Sequence, residues 1–157
     1  MQLTLHSEYA LRVLLYLGSR HGEIASTKEI SNTFGISKNH LVRVIQTLGD
    51  AGYLHVVPGR GGGVSLAMEP SLIRLGHVVR KAEPTFRIAE CFDAERNTCV
   101  IAPVCSLKPV LNEALNSFLT TLDRYTLADL LAGGAQRKLS RVFTLITTNG
   151  HQVQTSV

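Results

Sequence analysis

Between Ser7 and Gly18 the apolar residues Leu11, Val13, Leu14, Leu15 and Leu17 recur at helical spacing. Ser7 suits an N-cap and Gly18 a stop, so this span is predicted to be the first helix. The stretch STKEISNTFGISKNHLVRVIQTLGDAGYL reads as two helices about a tight turn. Ser26 or Thr27 caps the first, which runs to about Phe34. Gly35 supplies the turn, because glycine enters positive φ at little cost. Ser37 caps the second helix, whose residues Leu41, Val44, Ile45 and Leu48 follow the spacing of one buried face.

Two short β-branched runs then flank PGRGGG, the pattern of a hairpin with a flexible tip. SLIRLGHVVRKAE is predicted as a short helix with Leu72, Leu75, Val78 and Val79 on one side. No period is sustained through the following segment, which reads as loop. From Lys108 to Tyr125 a long helix carries Leu111, Leu115, Phe118, Leu122 and Tyr125 at alternating steps of four and three, a seam of coiled-coil type. Thr126 opens a short last helix, TLADLL, and beyond Gly133–Gly134 the pattern is that of a polar tail.

These elements predict a mainly α chain: a winged helix-turn-helix domain followed by a long dimerisation helix, assembled as a homodimer. The domain covers residues 1–83, with the helix-turn-helix at 26–51, the wing at 54–67 and the short helix at 71–83. Residues 84–107 form a loop, 108–132 the dimerisation helix with the short last helix, and 133–157 the tail. A seam of the period found in Leu111, Leu115, Phe118 and Leu122 suits a second copy related by a two-fold axis.

Composition agrees with a folded chain: of 157 residues 45% are hydrophobic and 18% charged. The net charge of +4 is compatible with a polyanionic partner where the basic residues cluster. The second helix of the helix-turn-helix has as its exposed positions Ser37, Lys38, Asn39, His40, Arg43 and Gln46. Such donors suit phosphates and purine edges in a major groove. Thr27 and Lys28 open the preceding helix and join the candidate set. Arg60, held among glycines at the wing tip, has the form of a guanidinium that enters a narrow minor groove. The competing reading is a solvated face on a winged helix used for protein contact.

No apolar run approaches the roughly 20 residues of a membrane span. The N-terminus lacks a basic start, and Glu8 and Arg12 break its apolar run, so it is not read as a signal peptide. A cytoplasmic protein without membrane partners is expected, where thiols stay reduced.

All three cysteines, Cys91, Cys99 and Cys105, fall in CFDAERNTCVIAPVC. Core packing fits poorly, because Asp93, Glu95, Arg96 and Asn97 lie between the first two. A disulfide would leave an odd cysteine. Zinc sites usually pair ligands at closer spacing, whereas wider loops between thiolates suit an iron–sulfur cluster. The residues alone leave a cluster, a zinc ion and a thiol redox switch open. A thiol oxidoreductase would want a C-x-x-C or a base beside a thiolate; neither is evident, so no enzyme is expected. The six histidines show no ligand spacing.

Taken in order, MQLT, SEYALR, ISKNHLVRVIQTLGDAGYL, GRGGGVSLA, CFDAERNTCVIAPVC and LDRYTLADLL make residues 1–131 resemble the iron–sulfur winged-helix transcriptional repressors of the NsrR and IscR type. SKNHL and LDRYTLADLL look most like the nitric-oxide-sensing branch. The resemblance implies a homodimer crossed through the long helix. It also implies a 4Fe–4S cluster (alternatively 2Fe–2S) bound by Cys91, Cys99 and Cys105 at the dimer interface. In that branch the partner's first helix contributes an aspartate; the matching residue here is Glu8, one methylene longer, which otherwise suits an i, i+4 pair with Arg12. CSLKPV lacks the histidine that closely follows the last cysteine in the cluster-assembly branch. The function implied is a repressor that binds operator DNA and releases it when nitric oxide attacks the cluster. An iron- or cluster-status-responsive repressor, or a zinc-stabilised DNA-binding module, is the alternative.

Overall fold

The computed structural model describes residues 2–148. Helix α1 (Leu5–Ser19) is followed by α2 (Thr27–Phe34), α3 (Lys38–Asp50), the hairpin strands β1 (Leu54–Val57) and β2 (Gly63–Leu66), α4 (Leu75–Ala82), α5 (Leu107–Asp123), α6 (Leu127–Leu131) and α7 (Ala135–Thr148). The strands pair antiparallel with Leu54 opposite Leu66, and Ala25, in the α1–α2 connection, extends the hairpin through a bridge to Val64. The helix-turn-helix forms where the caps predict it. The Ser26 hydroxyl accepts the Glu29 N–H at 3.1 Å, Gly35 takes φ 64°, and the Ser37 hydroxyl accepts the His40 N–H at 3.4 Å.

Helix α1 is the centre of the main core. Ala10, Val13, Leu14, Tyr16 and Leu17 are buried against Ile30, Leu41, Val44, Leu48, Val64, Val78 and Leu127. It begins earlier than its pattern predicts. Thr4, not Ser7, is the N-cap, and its hydroxyl accepts the Ser7 N–H at 3.3 Å. Ser7 is wholly buried, its hydroxyl donating to Glu83 Oε2 at 2.6 Å. Gly18, expected to stop the helix, lies inside it. A Cβ there would meet Leu131 Cδ1 at 2.8 Å and Leu127 Cδ2 at 3.1 Å, so this glycine is an approach site for α6.

Helix α4 is shorter than the predicted 71–83. The Ile73 carbonyl accepts the Leu127 N–H at 2.8 Å, and the Leu75 N–H donates to the Tyr125 carbonyl at 3.0 Å. This strand-like pairing commits residues 73–74 to extended backbone, so Leu72 stays exposed while Leu75, Val78 and Val79 are buried. Arg80 clasps both carboxylate oxygens of Asp123 at 2.6 and 2.7 Å, tying α4 to the end of α5. The Arg80 guanidinium also holds the Asp123 carboxyl below its ordinary range. Thr126 and Asp129 form a reciprocal capping box at α6.

The expected polar tail departs most from the pattern. Residues 135–148 are helix α7, and 149–157 lie outside the described residues. Phe143 is buried, with its ring centroid 5.0 Å from Tyr16 and 5.5 Å from Phe34. Gln136, Arg137, Lys138, Ser140 and Arg141 around Leu139 and Phe143 conceal this narrow apolar stripe in the sequence.

Beside that aromatic cluster, the Tyr16 hydroxyl donates to Glu29 Oε1 at 2.6 Å and accepts from Arg20 at 2.8 Å, while Arg20 also pairs with Glu29. Burial, then the neighbouring carboxylate, pushes the Tyr16 pKa up to about 12. Burial opposes the charge on Glu29, but the Tyr16 and Arg20 hydrogen bonds outweigh it and hold its carboxyl below the ordinary range.

Phe143→Ala is expected to cost roughly 3–5 kcal/mol in denaturant unfolding, as for a buried phenylalanine. Glu29→Gln should lower the thermal midpoint at neutral pH. A depressed carboxylate pKa contributes stability above the unfolded value, and this is lost as pH falls through the folded value. The gap between variant and parent should therefore close on acidification, which melting curves from pH 7 downward would check.

Candidate functional site

Helix α3 buries Leu41, Val44, Ile45 and Leu48 and so turns Ser37, Lys38, Asn39, His40, Arg43 and Gln46 outward, all exposed. Its open N-terminus adds the positive end of the helix dipole. Val42, not selected from the sequence, is also outward and 47% exposed, and offers apolar contact of the kind a thymine methyl makes. Lys28 is exposed at the start of α2, whereas Thr27 is half-buried. Arg60 is exposed at the wing tip between Gly59 (φ 95°) and Gly61 (φ 82°).

The cations divide by partner. Arg12, Arg20, Arg80 and Arg87 pair with carboxylates within the chain. Lys28, Lys38, Arg43 and Arg60 form no ion pair among the described residues. These four exposed cations of the helix-turn-helix and wing are thus available to an anionic ligand.

The cysteine segment carries single 3-10 turns at Glu90–Phe92 and Ala102–Val104. Cys91, Cys99 and Cys105 are free and half-buried. Glu90 Oε1 accepts the Thr98 hydroxyl at 2.6 Å and the Thr98 N–H, tying together the residues that precede Cys91 and Cys99. The Thr98 bonds hold the Glu90 carboxyl below its ordinary range. Three soft sulfur donors on one pinned segment fit an iron–sulfur group by their chemistry. Among the described residues, however, no three His, Cys, Asp or Glu side chains stand close enough to hold a metal, so binding would require the segment to gather. Glu8 is paired with Arg12.

The seam of α5 is partly used within the chain. Leu115 and Leu119 are buried with Val79 in a second cluster, against which Leu3, Phe86, Ile88, Phe92, Phe118 and Leu122 pack. Leu111 is half-buried. The free apolar surface lies elsewhere: Val100 is 91% and Val104 86% exposed, continuing into exposed Leu107 and Val110.

Sequence reasoning missed Glu83, the residue before the cysteine segment. Its Oε2 accepts from Thr4 N–H and Thr4 Oγ1, each at 3.1 Å, and from Ser7 Oγ at 2.6 Å. On the other side of the same turn, His6 Nε2 lies 3.1 Å from Thr47 Oγ1 on α3. Partners 76 residues apart, as Ser7 and Glu83 are, leave no periodic signal.

The family model Rrf2, described as iron-dependent transcriptional regulator, matches residues 3–133. The HTH-type transcriptional regulator NsrR of Bacillus subtilis is 54% identical over 132 residues, 83% of this chain and 90% of that protein. Among solved structures, T. potens IscR superposes with a TM-score of 0.66 at 26% identity, covering 83% of this chain and 86% of that one. Staphylococcus aureus CymR gives 0.68 at 21% identity, over 84% and 97%, a likeness of fold.

The exposed face yields a direct test on a duplex selected from a random-sequence library with the full chain. Arg43→Ala and Arg60→Ala are each expected to weaken binding. A lost phosphate contact should lower the salt slope by about one, and a lost base contact should relax one position by roughly 1–3 kcal/mol. Unchanged affinity in both variants would exclude this face.

Proposed function

The chain belongs to the Rrf2 family of transcriptional regulators, and we propose that within it the protein is a cytoplasmic, nitric-oxide-responsive, iron–sulfur-dependent repressor that binds operator DNA as a homodimer. The observation that carries the reading is the set of three free, half-buried thiols on one segment, beside a helix-turn-helix with unpaired outward cations. In this reading Lys28, Lys38, Arg43 and Arg60 neutralise phosphates, and Asn39 and Gln46 meet base edges. Thr27, Ser37 and His40 supply further donors at the two helix starts.

Cys91, Cys99 and Cys105 are the proposed ligands, with Glu8 of a second copy as the fourth. When bound, the cluster supplies iron at which nitric oxide reacts. Glu8 must leave Arg12 to ligate, and the gain or loss of that tie moves the first turn of α1. A ligand that favours one of two arrangements is what coupling to DNA affinity requires. The second copy would cover Val100, Val104, Leu107 and Val110, with Leu111 at the edge of the contact. Leu115, Phe118 and Leu122 serve the chain's own second cluster in the arrangement described, so the dimer contact is proposed at the N-terminal end of α5 and the turn before it, not along the whole predicted seam. An iron- or cluster-status response is the second reading, favoured by the family's description as iron-dependent.

Anaerobic purification should yield a brown protein, and Cys91→Ala, Cys99→Ala or Cys105→Ala should each abolish the iron–sulfur absorbance while helical circular dichroism persists. Glu8→Ala should leave a more labile cluster. Release of the selected duplex by a nitric-oxide donor but not by an iron chelator supports the first reading; release by chelator alone supports the second. A colourless protein with stoichiometric zinc overturns both.

A further inference from the structure

The first turn of α1 is held from two sides by groups that belong to different functional halves. On one side is Glu83, at the C-terminal end of α4 and directly before the cysteine segment. A carboxylate at a helix C-terminus meets the negative end of the helix dipole, an unfavourable place. Glu83 is compensated at the opposite kind of end: Oε2 takes three donors from the N-terminus of α1, the Thr4 N–H, Thr4 Oγ1 and the wholly buried Ser7 Oγ. Immediately beyond it, Phe86, Ile88 and Phe92 pack with Leu3 and Leu11 in the second hydrophobic cluster. The start of the cysteine segment, up to the neighbour of Cys91, thus shares one apolar cluster, around Val79, Leu115 and Leu119, with the start of α1.

On the other side is the recognition helix. His6, adjacent to Ser7, is hydrogen-bonded to Thr47, in the C-terminal half of α3. Ser7, His6 and Glu8 occupy one turn, so displacement of any one rotates the other two. An α-helical turn is stiff, and of its hydrogen-bonding side chains Ser7 is fixed in direction by burial.

We propose that Glu83 and Thr47 are positioning residues: through Ser7 and His6 they make the first turn of α1 a rigid link that passes the state of the cysteine segment to the recognition helix. The link rests on the reading above for the role of the segment. Glu83 senses where the segment begins, and Thr47 sets the rotation of α3 and hence which donors reach the groove. Neither touches a cysteine or DNA in this assignment.

A double-mutant cycle on full-length, anaerobically purified protein tests the link, with the selected duplex as probe and absorbance and melting midpoint recorded for each variant. Thr47→Val removes the hydroxyl with little change of shape. Glu83→Ala removes the acceptor; Ser7→Ala removes only its shortest donor and serves where Glu83→Ala does not fold. Each single change should lower duplex affinity severalfold. The double variant should lose about as much as the worse single, departing from the product of the two losses by more than the roughly twofold error of independent sites. Losses that multiply within that error, or full affinity in Thr47→Val, overturn the link. The parent's absorbance reports separately on the cluster: a colourless parent refutes the cluster reading while the cycle still decides the link.

Discussion

Burial of α1 on almost every side is the constraint from which the arrangement follows. Eight of its fifteen residues are buried, and α3, α4, α6, α7 and β2 all pack on it. A helix so enclosed has no independent position. Its outer end approaches α6 so closely that a Cβ at Gly18 would meet the Leu131 and Leu127 side chains, and its first turn buries the Ser7 hydroxyl against Glu83. The two-helix DNA-reading unit and the cysteine segment are therefore both registered against one rod. Dense interiors transmit small displacements because they do not deform continuously.

Polar interactions are divided accordingly. Those that assemble the scaffold are paired and directional: Arg80 with Asp123, Arg20 and Tyr16 with Glu29, Thr126 with Asp129. Lys38 and Arg43 on the outward face of α3 and Arg60 on the wing form no ion pair among the described residues. Folding thus does not compete with ligand binding for the same charges. It also leaves Lys28, Lys38, Arg43 and Arg60 exposed to attract polyanions before any specific contact is made.

Legibility followed the range of the interaction. The caps Ser26 and Ser37, the Gly35 turn and the apolar face of α3 are local, and the sequence pattern places them within a residue. The outward set on α3 follows from the same periodicity. What failed was long-range. Ser7 looked like a cap because serine near a helix start usually is one, yet its partner is Glu83. Gly18 looked like a stop because its reason, α6, lies more than a hundred residues away. Leu72 continued a helical pattern that pairing with residues 125–127 interrupts. The cysteines were legible as a group of donors, but spacing along a loop carries no information on how the loop brings them together.

Helix α7 starts two residues beyond the span matched by the family model, yet its Phe143 completes the aromatic cluster behind α2. The back of a shared reading head is thereby closed by a segment outside the shared part. Within the chain its contribution rests on presenting Leu139 and Phe143 to the core at the right interval. Substitutions at these two positions can therefore tune the thermal range of the fold while leaving the outward face of α3 and the cysteine segment unchanged.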